Sequence, residues 1–441
     1  MAARHLFCYM NDKQIGVLTR DKGRQSFTYS AEWLADEQTR PLSLSMPLQK
    51  EPWRGDVVEA WFDNLLPDND AIRQAIVDRL GADSRKTFDL LTLLGKDCVG
   101  ALTLLPEEAN SPLEAVRVEE LTEADIANLI RHTRTDNLLG MQARDTFRIS
   151  LAGAQEKTAL TRWNNIWCKP LGKTATTHII KPPISPRKGD PVDFSDSVDN
   201  EWFCLRFLAE LGIKTAECQI NVFDQQKVLM VERFDRRIVG DKIYRLPQED
   251  LCQALGKAGQ SKYEEHGGPD AKAIDDLLKF AIEPGKNREI FFKAQFCFWL
   301  LAAIDGHAKN FSLFLTPDGY TLTPLYDVMS AHLWFGKGFE PRKTEMAMSV
   351  RGSKNKHYRW FDILPQHWLS HARYLGINTG LAQRWLAECV ERTPASLQKV
   401  MMHLPKHFNP EAGERIAQGV LQTLARYQRH KLAEEEAKGM Q

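Results

Sequence analysis

The stretch Asp305-Gly306-His307-Ala308-Lys309-Asn310, resumed at Tyr326-Asp327, constrains this chain more than any other. An Asp stands five residues ahead of an Asn, and a second Asp lies beyond a hairpin read at Phe311–Leu315, Pro317-Asp318-Gly319 and Tyr320–Thr323. The apolar run Phe296–Ile304 leads straight into the first Asp, so a buried helix ought to deliver it. A hairpin that folds the chain back would then carry Asp327 toward Asn310. Taken singly, each residue has a plain structural reading: Asp305 can cap a turn and Asn310 can form one. Together they ask for a fold that gathers two carboxylates and an amide at one loop.

Composition narrows the setting. At 441 residues the length prior is about two or three domains. Hydrophobic residues at 43% and charged residues at 26% belong to a globular chain that buries a sizeable core. Lys+Arg and Asp+Glu are both 58, so no global basic field advertises nucleic acid. The eight cysteines are scattered without a Cys-x-x-Cys pair, and several sit in apolar runs such as Phe296-Cys297-Phe298-Trp299. Buried, reduced thiols of a cytoplasmic protein are expected. Met1-Ala2-Ala3-Arg4-His5 has no apolar signal core, and the longest apolar run is too short to span a bilayer, so no membrane association is expected.

Protein kinases space their catalytic loop as this chain does. An Asp receives the proton of the acceptor hydroxyl, an Asn helps hold magnesium, and a later Asp holds metal against the ATP phosphates. On that pattern Asp305 is the hydroxyl-orienting base, and Asn310 and Asp327 are the magnesium ligands. His307 and Lys309 fall inside the loop, where either touching phosphate or a structural role would suit them. Lys181 closes the strand-like run His178-Ile179-Ile180, where a phosphate-binding lysine belongs, because an inward-facing lysine there needs an anionic partner. ATP phosphates would serve, and so would Glu201, for which a solvated first-turn position is the alternative.

Three further segments carry weaker signals. Ser150-Leu151-Ala152-Gly153-Ala154-Gln155-Glu156-Lys157 has small residues that would let backbone N–H groups approach phosphates. It holds a single glycine, so a plain surface turn, with Lys157 in a surface salt bridge, is the alternative. Glu232-Arg233-Phe234-Asp235-Arg236 follows a buried strand, where a hinge would offer backbone groups to adenine and Asp235 would reach the ribose. A charged strand end with an Arg–Asp pair is the competing reading. Arg351, Lys354, Lys356, His357 and Arg359 read as a solvated basic loop, with an anionic partner as the minority reading.

The organisation expected is α+β: a two-lobed protein-kinase-like fold with a strand-rich N-terminal subdomain and a mainly helical C-lobe. Residues 1–120 form the strand-rich subdomain. Residues 121–235 form an N-lobe with phosphate loop and hinge, and residues 236–441 a helical C-lobe. His5–Tyr9 and Gln14–Leu18 flank a hairpin signal at Asn11-Asp12-Lys13, Ser26–Tyr29 alternates, and Cys98–Leu105 ends at Pro106. Ala71–Leu80 is helical, and residues 106–120 resemble a linker. Thr122 is a plausible N-cap, with Glu123 and Asp125 in the first turn. Thr158–Trp163, the Asn164-Asn165 turn and Ile166–Lys169 make a hairpin, followed by a strand at His178–Lys181. Ser197 opens a helix that Gly212 ends, Lys227–Val231 is a strand, and the remainder is mostly helical, including Phe291–Ile304 and Glu414–Lys438.

These segments together resemble the HipA-type serine/threonine kinases, the toxin halves of bacterial type II toxin–antitoxin modules. Residues 41–48, 62–68, 147–158, 177–181, 231–237, 246–250 and 305–311 carry the resemblance, and those near 147, 231 and 305 are the specific ones. It implies ATP and Mg2+ as cofactors, with Asp305 as catalytic Asp, Asn310 and Asp327 as metal ligands and Lys181 on the phosphates. By the same resemblance, the phosphate loop is Ala152, Gly153, Ala154, Gln155, Glu156 and Lys157. Glu232 and Phe234 bond adenine through their backbone, Asp235 holds the ribose, and Ser150 is the autophosphorylation site whose added charge would silence the enzyme. The implied partners are a HipB-like helix-turn-helix antitoxin, operator DNA reached mainly through it, and a protein substrate, glutamyl-tRNA synthetase being the family's best-known target. A small-molecule kinase of the aminoglycoside-phosphotransferase kind and a catalytically silent co-repressor are the alternatives.

Overall fold

The computed structural model describes residues 4–109, 113–136, 155–185 and 192–439. The chain divides into two compact units. One comprises residues 1–182, 221–262 and 312–320, and the other residues 183–220, 263–311 and 321–441.

In the first unit the chain opens with a sheet whose strands run, among the described residues, in the order Trp53–Arg54, Arg24–Tyr29, Lys13–Asp21, Arg4–Met10, Leu102–Leu105. Side chains alternate along Arg4–Met10, and Leu6, Cys8 and Met10 enter a core with Phe27, Trp61, Phe62, Phe88 and Leu104. That core also swallows a carboxylate. Glu249 is fully buried, and it accepts from Ser43 Oγ at 2.6 Å, Leu44 N at 2.9 Å and Trp61 Nε1 at 3.0 Å. Burial pushes its pKa up to about 7 against the opposing pull of those three donors.

A second sheet runs Cys218–Phe223, Gln226–Glu232, His178–Lys181, Thr158–Trp163, Ile166–Pro170, Val118–Glu120. Asn164 and Asn165 hold φ of 49° and 65°, the left-handed pair that a two-residue hairpin turn demands. Thr122 caps the helix Glu123–Asp136: its hydroxyl accepts from Asp125 N at 3.2 Å while the Asp125 carboxylate accepts from Thr122 N at 3.0 Å. The supposed linker 106–120 ends as the strand Val118–Glu120, whose pairing with Ile166–Pro170 recruits a segment too polar to announce itself.

The second unit is built on the helix Pro284–Leu300. It starts seven residues before Phe291, where the sequence reading opens it, because Pro284 supplies a preset first turn. Phe296 meets Trp368 of the helix Pro365–Leu375 at 5.2 Å and Tyr427 of the helix Pro410–Gly439 at 5.4 Å. Phe292 lies 5.9 Å from Trp385 of the helix Thr379–Met402. Ring-on-ring packing of this kind fixes the helix that leads to Asp305. The basic segment read as a solvated loop is instead a hairpin, Glu345–Arg351 with Lys356–Arg359. Part of it is tied down: Lys356 bonds Glu264 at 2.7 Å, Arg351 lies over the Tyr374 ring, and His357 stacks on His367 at 3.8 Å, while Lys354 and Arg359 are exposed as a solvated face requires. All eight cysteines are unbridged, and seven are buried. Among the described residues no helix is long and apolar enough to cross a membrane.

Candidate active site

The helix Pro284–Leu300 ends in a way that aims the following loop. Ala302 takes φ 48°, and Ala303 N donates back to Phe298 O at 2.7 Å, the bond of a Schellman-type stop. Ile304 O then accepts from Ala347 N at 2.8 Å, so the strand Glu345–Arg351 grips the chain just before Asp305. A Cβ on Gly306 would meet the Phe298 ring at 2.5 Å, which leaves glycine as the residue that lets the loop lie on the helix. Beyond it, residues Ala308–Asn310 form one tight turn, and Phe311 packs against Phe291 and Phe298 at 5.2 and 5.6 Å.

Asp305, Asn310 and Asp327 come together here. Asn310 Nδ2 donates to Asp305 O at 2.9 Å and to Asp327 O at 3.3 Å. Asp327 is delivered by an extended segment tied to another part of the same unit: Leu325 N donates to Lys214 O at 2.9 Å, and Ala216 N to Leu325 O at 2.8 Å. Tyr326 turns its hydroxyl onto Lys309 O at 2.7 Å, which pins the two segments side by side. Asp327 itself sits at φ 59°, a left-handed conformation costly for any residue with a Cβ. The Asp305 carboxylate is 61% exposed, and its Oδ1 accepts the Tyr263 hydroxyl at 2.6 Å rather than capping a turn. His307 and Lys309 are buried.

The first unit positions the other residues named above. Lys181 ends the strand His178–Lys181 between two neighbours, pairs with Leu229, and is buried as its apolar surroundings led one to expect. Lys157 is buried too, which removes the surface salt bridge from consideration. Gln155 donates to Pro182 O at 3.3 Å, and Glu156 is half-buried. Ser150, Ala152, Gly153 and Ala154 lie outside the described residues. Glu201, in the second unit, is buried in the helix Ser197–Glu210, so the solvated first-turn position is wrong. Its helix is covered on faces that a surface helix would leave open.

Asp235 departs furthest from its expected surroundings. It is buried, and its carboxylate accepts from Arg233 Nε at 3.0 Å, Arg233 Nη2 at 2.8 Å, Arg236 Nη1 at 2.8 Å and Gly100 N at 2.8 Å. Arg233 also reaches Asp97, Thr176 and the Cys98 carbonyl, while Arg236 and Arg245 both bond Asp97 Oδ1. Burial would raise both carboxyl pKa values, but the arginines outweigh it; Asp97 is held at about 2, and Asp235 is lowered as well. The Arg–Asp pairing read at the strand end is present, with three donors on Asp235 Oδ2 and one on Oδ1. Glu232 points outward, and Phe234 packs edge-on to Phe314 at 5.7 Å.

Sequence reading missed Asp97, which joins this cluster from far upstream, and Tyr263, 42 positions before Asp305. Neither stands in a local pattern that would mark it.

Residues 6–105 match the family model for the HipA N-terminal domain, and residues 149–397 the one for the HipA-like C-terminal domain. The chain belongs to the HipA family. A putative kinase, Y4mE of Sinorhizobium fredii, is 32% identical over 409 residues, which is 91% of this chain and 93% of that one. The serine/threonine-protein kinase toxin HipA of Shewanella oneidensis is 27% identical over 441 residues, covering 96% and 95%. The solved structure of the S. oneidensis HipA, in complex with HipB and operator DNA, is similar with a TM-score of 0.79 and 25% identity over 96% of this chain and 97% of that one. The α+β HipA fold expected from the sequence is therefore the one this chain adopts.

Proposed function

We propose that this HipA-family chain is an ATP-dependent serine/threonine protein kinase, and the toxin of a cytoplasmic toxin–antitoxin pair. The observation that carries the reading is the single Asn310 amide that bonds the backbone of both Asp305 and Asp327. A base and a carboxylate gathered by an amide that is itself an oxygen donor suit phosphoryl transfer, in which positioning and charge neutralisation do most of the work.

In this reading Asp305 orients the acceptor hydroxyl and takes its proton. Lys181 neutralises phosphate charge. Asn310 and Asp327 would hold Mg2+, and the donor set fits: both offer oxygen, and magnesium is usually bound by one or two carboxylates together with substrate phosphates. Bound Mg2+ would neutralise the charge that develops on the transferred phosphoryl group. The backbone of Glu232 and Phe234 would face adenine, and residues 152–157 would cover the phosphates.

The protein substrate by family resemblance is glutamyl-tRNA synthetase, with growth arrest as the result. Autophosphorylation at Ser150 would silence the kinase, and a HipB-like antitoxin would bind it and carry it to operator DNA. Purified protein with Mg2+ and radiolabelled ATP, beside its Asp305→Asn variant, tests the reading by mass-mapped label. Phosphate on Ser150 in the wild type alone supports it. A wild type that binds ATP but transfers nothing, or an Asp305→Asn variant with full turnover, sinks it.

A further inference from the structure

Among the described residues, the side chain hydrogen-bonded to the Asp305 carboxylate, at 2.6 Å, is Tyr263, which belongs to neither loop that built the site. Tyr263 lies between two short turns, Gly259–Ser261 and Glu264–His266, and its ring is held on both sides. It stands edge-on to His307 at 5.0 Å and to His266 at 5.9 Å. Its carbonyl accepts from His266 N at 3.1 Å and Gly268 N at 2.9 Å. The next residue, Glu264, is fastened harder still. Its buried carboxylate accepts from Ser349 N at 2.7 Å, Ser349 Oγ at 2.9 Å, Lys356 Nζ at 2.7 Å and Tyr358 Oη at 3.1 Å.

A hydroxyl so supported is a fixed point, whereas the Asp305 carboxylate is 61% exposed and sits on a loop. An exposed carboxylate rotates unless something holds one of its oxygens. Tyr263 holds Oδ1; the other oxygen, Oδ2, lies 3.9 Å from His307 Nε2, beyond hydrogen-bond distance. A phenol O–H donates a single bond and keeps its proton at neutral pH, so it can orient a base without competing for the proton that base must take.

We propose that Tyr263 is a positioning residue for phosphoryl transfer: it clamps Oδ1 of Asp305 so that Oδ2 is presented to the acceptor hydroxyl. The inference rests on the kinase reading above. It also assigns the basic hairpin a task, because Lys356 and Tyr358 brace Glu264 and, through the adjoining backbone, the tyrosine. Misalignment of a reacting group by about 1 Å can cost two orders of magnitude in rate, and loss of this single bond should cost roughly one.

The test compares the full chain with Tyr263→Phe in single-turnover self-phosphorylation with Mg-ATP, titrating ATP and recording melting temperature. The expected result is a maximal rate about tenfold lower, with the half-saturating ATP concentration and the melting temperature unchanged. A variant that transfers at the wild-type rate overturns the clamp, as does one whose loss lies wholly in ATP half-saturation. Phosphate mapped to Tyr263 would make it an acceptor and overturn the clamp as well. A wild type without any transfer overturns the kinase reading and this inference together, which separates the two failures. Should Tyr263→Phe melt early, 3-fluorotyrosine at 263 keeps the ring and alters only the hydroxyl's acidity, and the maximal rate must still move.

Discussion

Asn310 donates its side-chain amide to the backbone carbonyl of Asp305 at 2.9 Å, so the residue read as a metal ligand also shapes the loop of the base. The same nitrogen reaches Asp327 O at 3.3 Å. Asn310→Asp would keep an oxygen for Mg2+ and lose both N–H bonds, setting a carboxylate against two carbonyls. We expect turnover to fall at least about a hundredfold at every Mg2+ concentration, and stability to fall by about 1–3 kcal/mol. Full activity restored by raised Mg2+ would show that Asn310 matters only as a ligand.

Asp327 holds φ 59°, so glycine and alanine should part company there. Both remove the carboxylate and should abolish transfer. Glycine relieves the left-handed strain, whereas alanine keeps the Cβ and loses the polar group, and should be less stable than glycine by about 1 kcal/mol. Urea unfolding of the two variants decides the matter. An alanine variant more stable than the glycine one would contradict the strain.

Glu249 should make the first unit lose stability as pH rises. Its folded pKa of about 7 lies above the ordinary 4.5, so between those values the folded chain binds the proton and the unfolded chain does not. The stability is complete below about pH 4.5 and declines by about 3 kcal/mol as pH climbs to 7. Glu249→Gln, measured by urea titration at pH 5 and pH 7.5, should flatten this slope. An unchanged slope would place the dependence elsewhere.

Asp97 should act with the opposite sign. Held at about 2 by Arg236, Arg233 and Arg245 despite its burial, it contributes stability that is present above pH 4 and lost as pH falls toward 2. Asp97→Ala removes the anion that three buried arginines share, and should cost about 3–5 kcal/mol at neutral pH. A melting temperature within a degree or two of wild type would mean that the cluster relaxes around the loss.

The gathering of the candidate site was legible where the spacing is local. Asp305, Asn310 and Asp327 lie within 23 positions of one another in the sequence, and their spacing is set by a turn and a hairpin that residues such as Pro317-Asp318-Gly319 announce. The burial of Lys181 was legible because it ends the apolar run His178-Ile179-Ile180. Asp97 and Tyr263 were not, because their meaning depends on partners 136 and 42 residues away. The hairpin Arg236–Val239 with Lys242–Arg245 was readable from its Gly240-Asp241 turn, yet charged flanks masked it within a region expected to be helical. The Met346-Ala347-Met348 interior, weak in β-branched residues, likewise hid the pairing at Glu345–Arg351, whose strand character comes from what it packs against.

The arginine cluster has a consequence for how the chain is made. Asp97 leaves the ribosome 136 residues ahead of Arg233 and 148 ahead of Arg245. At roughly 5–20 residues per second, the newborn N-terminal sheet waits about 7–30 s for the cations its buried acid requires. During that interval Asp97 has to stay hydrated, and the sheet edge beside it open. The first unit therefore closes late in translation, once the segment carrying Arg233, Arg236 and Arg245 has emerged, and the N-terminal sheet is a patient template more than an early-finished part.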